Sequence, residues 1–319
     1  MEIVKAKQMK NEIENSKDKG NIQKFLLYMK KNGTCYLFLL PLILSVLLFA
    51  VYPMVSSFIY SFSDYTLYAP WISELSFDNY IKMFTSDWVH FGNALRITGI
   101  YTIISVPLMM VLSFLLALFL NHKLSGVKIF RTLYYVPMVI PAVVSALLWK
   151  NILDPSFGIA NRIFEMLGLP KSDFVFGSKD ALTSLIVLGL WGVGGTMILW
   201  LSALKNVPES LIESAKLDGA GSLRRLLVII LPMCSPIIFY NLIMAIITAL
   251  QNFGSFAMVG GGGTDDSLMF IAVKIYIDAF AGYDLAYACA MGWFLFLIIA
   301  LLTVVIFRSS KWVFYGEES

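Results

Sequence analysis

Titratable chemistry is scarce in this chain. Its 319 residues include two histidines and three cysteines. His90 and His122 flank a long uncharged run that would put them on opposite sides of a membrane, which excludes a joint metal site. Cys35, Cys234 and Cys289 lie in or beside apolar stretches, where a thiol behaves as a small apolar group, and no disulfide framework is implied. Charged residues make up 14%, against about 25% in a soluble domain. There is no P-loop, no His-Glu-x-x-His pair and no Gly-x-Ser-x-Gly elbow. The glycine run Gly260 to Gly263 lacks the lysine a phosphate loop needs. Nothing here would hydrolyse ATP, cleave a peptide or hold a metal, so the chain is not expected to be an enzyme.

Apolar residues supply what is present, 58% of the chain. Uncharged windows run over 32 to 63, 97 to 121, 132 to 149, 181 to 204, 226 to 264 and 285 to 307. A bilayer core takes roughly 20 apolar residues of helix, and only helices or closed barrels satisfy the backbone there. The expected fold is therefore all-α and integral to the membrane, with six transmembrane helices near 35–58, 95–120, 131–150, 182–203, 231–252 and 286–307. Pro137 and Pro141 interrupt the third, because proline removes a backbone donor and kinks a helix.

With both termini on one side, that side holds seventeen Lys and Arg residues against seven on the other. Positive charge concentrates in the cytoplasm, so both termini and the loop 204–230 are expected there. This divides the chain into a cytoplasmic N-terminal segment 1–34, a transmembrane domain 35–310 and a cytoplasmic tail 311–319. The polar start does not fit a cleavable signal. Ile22, Phe25, Leu26 and Met29 at helical spacing, with Lys24, Lys30 and Lys31 opposite, fit either an interfacial helix on the anionic inner leaflet or a solvated basic tail.

A six-helix protein without an energy-coupling motif either works passively or borrows power from a partner. In the loop 204–230, Pro208 suits a helix start, and Glu209 and Glu213 lie near the positive end of the helix dipole. Leu211, Ile212, Ala215 and Leu217 give an apolar side, and Gly219 and Gly221 break the helix. A short amphipathic helix ended by glycine fits another protein's groove. From this pattern alone, an ordinary solvated loop fits as well.

The run Glu213-x-Ala215, with Gly219 six residues after the glutamate and then Ile229-x-Leu231-Pro232, resembles the EAA motif of binding-protein-dependent ABC importer permeases. Ser214 stands where the motif usually has alanine, a small-for-small change. Asp218-Gly219-Ala220 and the run from Leu231-Pro232 to Pro236 resemble the carbohydrate-uptake branch, which includes maltose, glycerol-3-phosphate and multiple-sugar permeases. Phe130-Arg131-Thr132 through Pro137, Pro141 and Trp149, then Phe157-Gly158 with Asn161, resembles the same branch. So does the outer stretch from Gly260 through Ser267, Tyr276, Tyr283 and Ala286-Tyr287-Ala288.

The resemblance implies a type I ABC importer permease fold in a bacterial cell membrane, crossed several times. It also implies the partners: a second homologous permease, two ATPase subunits that bind the ATP and Mg, and an extracellular sugar-binding protein, with no nucleic acid and no cofactor in this chain. The ATPase-coupling residues would be Glu213, Ala215, Asp218, Gly219, Leu231 and Pro232. The other classes are an autonomous carrier or channel for a small polar solute, which would usually show internal repeats or intramembrane acids, and a membrane enzyme, whose convergent groups are missing.

Neutral sugars are held by hydrogen bonds and aromatic faces, so polar and aromatic groups within apolar helices are the pathway candidates: Trp191, Gly195, Tyr240, Asn241, Gln251 and Asn252. For Gln251 and Asn252 the resemblance agrees, although the family's asparagine-rich run is reduced here to two residues. Each has a plain alternative: an interface aromatic at Trp191, close helix packing at the glycines, an interhelical hydrogen bond at Asn241, and a membrane-boundary position for Gln251 and Asn252.

Overall fold

A computed structural model describes residues 33–122 and 126–313. The interfacial-helix reading of 22–31 and the tail beyond 313 lie outside them. The described residues are helical, with one isolated bridge between Ser63 and Leu75. The chain divides into two units at Ile59 and Tyr60.

The first unit holds most of one span. Helix α1 (Gly33–Val46) passes through a π turn (Leu47–Val51) into α2 (Tyr52–Ser61). The π turn has a local cause. Pro53 cannot donate to the carbonyl four residues back and its ring pushes that carbonyl away, so the preceding turn widens. Phe38 and Phe49 are exposed, as suits a lipid-facing helix.

The second unit begins with α3 (Asp78–Phe84) and the long α4 (Trp88–Asn121). At 1.5 Å per residue α4 is about 51 Å long, more than the roughly 30 Å of a bilayer core. Then follow α5 (Val127–Val139), α6 (Ala142–Ile152), α7 (Ile159–Met166), α8 (Ala181–Gly189) and α9 (Gly194–Lys205). The polar loop contributes α10 (Glu209–Leu217) and α11 (Ser222–Arg225), which continues through a π turn (Leu226–Ile230) into α12 (Leu231–Met233). The chain ends with α13 (Ser235–Leu250), α14 (Gly254–Val259), α15 (Ile271–Phe280) and α16 (Leu285–Arg308).

Three helices are long and apolar enough to cross a membrane alone: Phe38–Ser61, Trp88–Asn121 and Leu285–Arg308. Three bent pairs complete the six expected spans. α5 and α6 meet at 99°, α8 and α9 at 46°, and the α11–α12 rod meets α13 at 70°. The first bend falls where the prolines predicted an interruption. Ile140 is extended (φ −73°, ψ 127°) ahead of Pro141, the conformation that a following proline enforces. The fifth span differs from expectation. Leu231 and Pro232 do not begin it; they end a helical segment running from Ser222, and the crossing helix starts after the break at Cys234. Pro236, in the first turn of α13, cannot carry the hydrogen-bond ladder across that break.

Three apolar clusters hold this unit together. One joins the start of α4 to α15 and α16 through Phe91, Ala94, Ile271, Tyr287 and Met291. A second packs α4, α6, α8, α13 and α14 through Val106, Ala146, Leu185, Ala249 and Met258. The third sits at the other end of α4, where Ala117 and Leu120 meet Val127, Trp200, Leu204, Val207 and Cys234. Ile212 of α10 packs on this third cluster, so the polar loop belongs to one definite end of the bundle.

Candidate functional site

The charged loop folds into two helices joined by a glycine turn. Pro208 (φ −60°, ψ 127°) precedes α10, and Glu209 occupies its first turn. At the other end, the Ala220 N–H donates to the Ala215 carbonyl at 2.9 Å and the Gly219 N–H to the Lys216 carbonyl at 3.1 Å. This crossed pair is a Schellman closure, which needs a left-handed residue just past the helix. Gly219 supplies it at φ +75°. An ideal Cβ on Gly219 would meet nothing within 4 Å, so glycine is required by backbone conformation and not by crowding. The Arg225 guanidinium donates to the Ala220 carbonyl at 2.6 Å and to the Ser222 hydroxyl at 3.2 Å, fixing the turn against α11.

The faces of α10 are divided. Ile212 and Ala215 are half-buried against the bundle. Glu213 is exposed, and so is Leu217, at 90% of its full accessibility. The expected single apolar side is therefore corrected: Leu217 shares the outward face with Glu213. Among the described residues Glu213 has no ion-pair partner. Leu223, Leu227 and Val228 extend the exposed apolar surface. Of the expected coupling residues, Glu213, Ala215, Asp218 and Gly219 lie on one helix and its cap, whereas Leu231 and Pro232 stand at the far end of the rod.

The pathway candidates lie in different local surroundings. Trp191 meets Trp149 edge-to-face at 5.4 Å in the lining of a cavity of about 1090 Å³ between α4, α5, α6, α7 and α8. Gly195 is a packing position, since a Cβ there would lie 2.5 Å from the Met138 sulfur. The neighbouring Gly194 is tighter still, 1.9 Å from the Tyr134 carbonyl oxygen. Tyr240 is exposed. Asn241 is buried, and its side-chain nitrogen has no hydrogen-bond partner among the described residues. Gln251 is exposed at the C-terminus of α13, and the Asn252 side-chain oxygen accepts from the Gly254 N–H at 2.8 Å.

A partly buried ionic cluster around the buried Lys274, which the sequence reading missed, lies at the end opposite the loop. Lys274 pairs with Asp87 at 2.9 Å and with Asp278 at 3.0 Å. The Tyr287 hydroxyl donates to Asp87 at 2.5 Å. Lys82 pairs with Asp284 at 2.7 Å and lies 4.1 Å from the Tyr287 ring centroid. Burial by itself would depress the Lys274 ammonium, but its hydrogen bonds to Asp87 and Asp278 override that and raise its pKa above the ordinary lysine value. Burial pushes the Asp278 carboxyl upward. Only the i,i+4 spacing of Lys274 and Asp278 hinted at this cluster; Asp284 and Tyr287 follow shortly after, but Lys82 and Asp87 come from a distant stretch of chain.

Three long apolar helices and three bent pairs fit a multi-pass membrane subunit with a short capped helix exposed at one end of the bundle. The chain belongs to the family described as binding-protein-dependent transport system inner membrane component, whose model matches residues 98–314. It is 36% identical over 296 residues to a probable ABC transporter permease protein, YesP, of Bacillus subtilis, covering 91% of this chain and 94% of that protein. It is 27% identical over 277 residues to the sn-glycerol-3-phosphate transport system permease protein UgpA of Yersinia pestis, covering 86% and 92%. Its fold matches a chain of a bacterial ABC transporter involved in the import of the acidic polysaccharide alginate, with a TM-score of 0.79, 26% identity and coverage of 90% and 98%. A chain of the bacterial alginate transporter in complex with alginate pentasaccharide-bound periplasmic protein matches at TM-score 0.79 and 25% identity, covering 89% and 96%.

Proposed function

We propose that this chain is the transmembrane half of an ATP-driven importer for sugars or oligosaccharides and that α10 docks an ATPase on the cytoplasmic side. The observation that carries the reading is the outward pairing of Glu213 and Leu217 on a capped helix, a charged group and an apolar knob both exposed among the described residues. Such a pair suits a groove that offers a basic residue beside an apolar floor. The glycerol-3-phosphate and alginate systems among its relatives support a polyhydroxylated substrate delivered by an extracellular binding protein. A second homologous permease would complete the pathway, and two ATPase subunits would bind ATP and Mg. Both termini lie inside by the lysine and arginine distribution.

Closure of the ATPase dimer would move α10, and α10 would carry the α11–α12 rod with it through the Gly219 turn. The test is assembly with the partner permease and ATPase in vesicles, measuring uptake across a panel of oligosaccharides together with ATP hydrolysis. Substrate-stimulated hydrolysis that requires all subunits is expected. Robust hydrolysis by this polypeptide alone would overturn the assignment. Impermeant thiol labelling should reach a cysteine at Ser178 and not one at Ser222 in intact cells; the reverse would invert the orientation.

A further inference from the structure

Beside the docking helix lies a groove of about 740 Å³, formed where the end of α4, the start of α5, the end of α9 and the start of α10 come together. Its lining includes His122, Lys128, Arg131 and Lys205, with Glu209 as the one acid. None of Lys128, Arg131 and Lys205 has an ion-pair partner among the described residues. Arg131 donates to the Leu120 carbonyl at 2.7 Å, closing the end of α4, and its Nε is buried without a partner. The start of α5 presents the positive end of a helix dipole to the same space. Three lasting cations against one acid around one cavity, none of the three ion-paired among the described residues, create an attraction for an anion.

The rest of the groove indicates which anion. Val127, Leu204 and Val207 are buried members of the third apolar cluster and also line the cavity, with Ile212 beside them. A basic rim thus surrounds an apolar floor. Three membrane-crossing segments end here, so the groove lies at headgroup level. Leading away from it, Ile129, Leu133 and Val136 are exposed at i, i+4 and i+7 on α5, a continuous apolar stripe on one helix face.

We propose that this groove is a binding site for the phosphate of an acidic phospholipid, with its acyl chains along the exposed face of α5. Basic pockets between transmembrane helices on the cytoplasmic side bind such headgroups. A soluble phosphate would use the basic rim but leave the floor and the stripe unused; a lipid uses all three. Because Glu209 and Ile212 belong to α10, an occupied groove also supports the base of the docking helix. The groove and its charges do not depend on the transport reading; only the leaflet does.

The test uses the full chain purified in mild detergent, with phosphatidylglycerol and phosphatidylcholine as probes and retained lipid measured by native mass spectrometry. Preferential retention of phosphatidylglycerol is expected. Lys128→Ala with Lys205→Ala should weaken it about tenfold or more, since each cation near the surface contributes about 1 kcal/mol. Lys216→Ala, outside the groove, should leave it unchanged, and Lys128→Arg with Lys205→Arg should restore it. Unaltered retention in the double alanine variant would overturn the proposal, as would displacement of the lipid by millimolar inorganic phosphate. If the double variant loses ATPase binding while holding lipid normally, the groove is a protein contact instead.

Discussion

The amide of Ala220 donates to the carbonyl of Ala215 across 2.9 Å, and the turn that makes this bond possible has Gly219 in the left-handed region with empty space around it. Strain and not collision therefore governs substitution there. Gly219→Val should cost about 1–2 kcal/mol or more through the left-handed backbone, whereas Gly219→Asn, whose side chain tolerates that conformation, should cost less. Amide exchange at Ala220 reports the opened cap, and ATP hydrolysis by the assembled complex should fall in the same order. Equal effects of valine and asparagine would show that the turn does not need its left-handed residue.

The Glu213 side chain makes no hydrogen bond or ion pair among the described residues, so its removal separates folding from docking. Glu213→Ala should change the stability of this subunit by no more than about 0.5 kcal/mol, as for a surface position. It should weaken ATPase retention by about 2–5 kcal/mol if the charge is shielded in a partner groove. Co-purification at graded ATPase concentrations measures the second quantity and thermal unfolding of the subunit the first. Full retention of the ATPase by the variant would leave α10 as a solvated helix.

The glycines at the bend between α8 and α9 sort themselves by what a methyl group would strike. Gly194→Ala places carbon against the backbone carbonyl of Tyr134 at 1.9 Å, which nothing local relieves, so its cost should reach or exceed the top of the about 1–3 kcal/mol typical of overpacking. Gly195→Ala meets the flexible Met138 side chain and should cost less. Gly192→Ala meets nothing within 4 Å and should behave as wild type. Yield and melting temperature in detergent check the order.

Lys274 sits among Asp87, Asp278 and Tyr287 with its side chain at 9% exposure. Lys274→Met should lower stability by about 1–3 kcal/mol, because two partly buried carboxylates lose their partner. Adding Asp87→Asn and Asp278→Asn should recover part of the loss. The folded state raises the pKa of Lys274, so the stability it contributes is fully present below the ordinary lysine range and is lost as pH rises through the raised value. Melting temperature measured to strongly alkaline pH should therefore fall earlier in wild type than in the triple variant.

Gln251 is exposed, whereas Asn252 caps the turn at Gly254. If this end of α13 contacts substrate, Gln251→Ala should lower uptake several-fold with ATP hydrolysis and assembly intact. Asn252→Ala should lower both uptake and stability. Unchanged uptake in Gln251→Ala would move the substrate contact elsewhere.

Charge-free windows located all six spans because burying a charge in lipid is costly along the whole length of a helix. They carried no information on what happens inside a span. The bend at Ile140 was legible since two prolines mark it, but those at Val193 and Cys234 were not: the first follows a short 3-10 turn, and the second was taken for a helix start at Leu231-Pro232. The short helices α3, α7, α14 and α15 also escaped, since none is long enough to show a period. Helix α10 and its glycine turn were legible through a local motif. The Lys274 cluster was not, because Lys82 and Asp87 lie far along the chain from the 274–287 stretch and only the fold brings them together.

The rod from Ser222 to Met233 meets α13 at 70°, and this angle sets a mechanical ratio. With a rise of 1.5 Å per residue the rod is a lever arm of about 18 Å. Rotation by roughly 10° about Cys234 would therefore sweep its outer tip through about 3 Å, on that same rise per residue. Because the arm lies steeply across the crossing helix, that sweep reaches α13 as torque and not as a push along its axis. The π turn at Leu226–Ile230, two residues before Pro232 as the first span's π turn is before Pro53, gives this arm a built-in point of compliance between the load and the fulcrum.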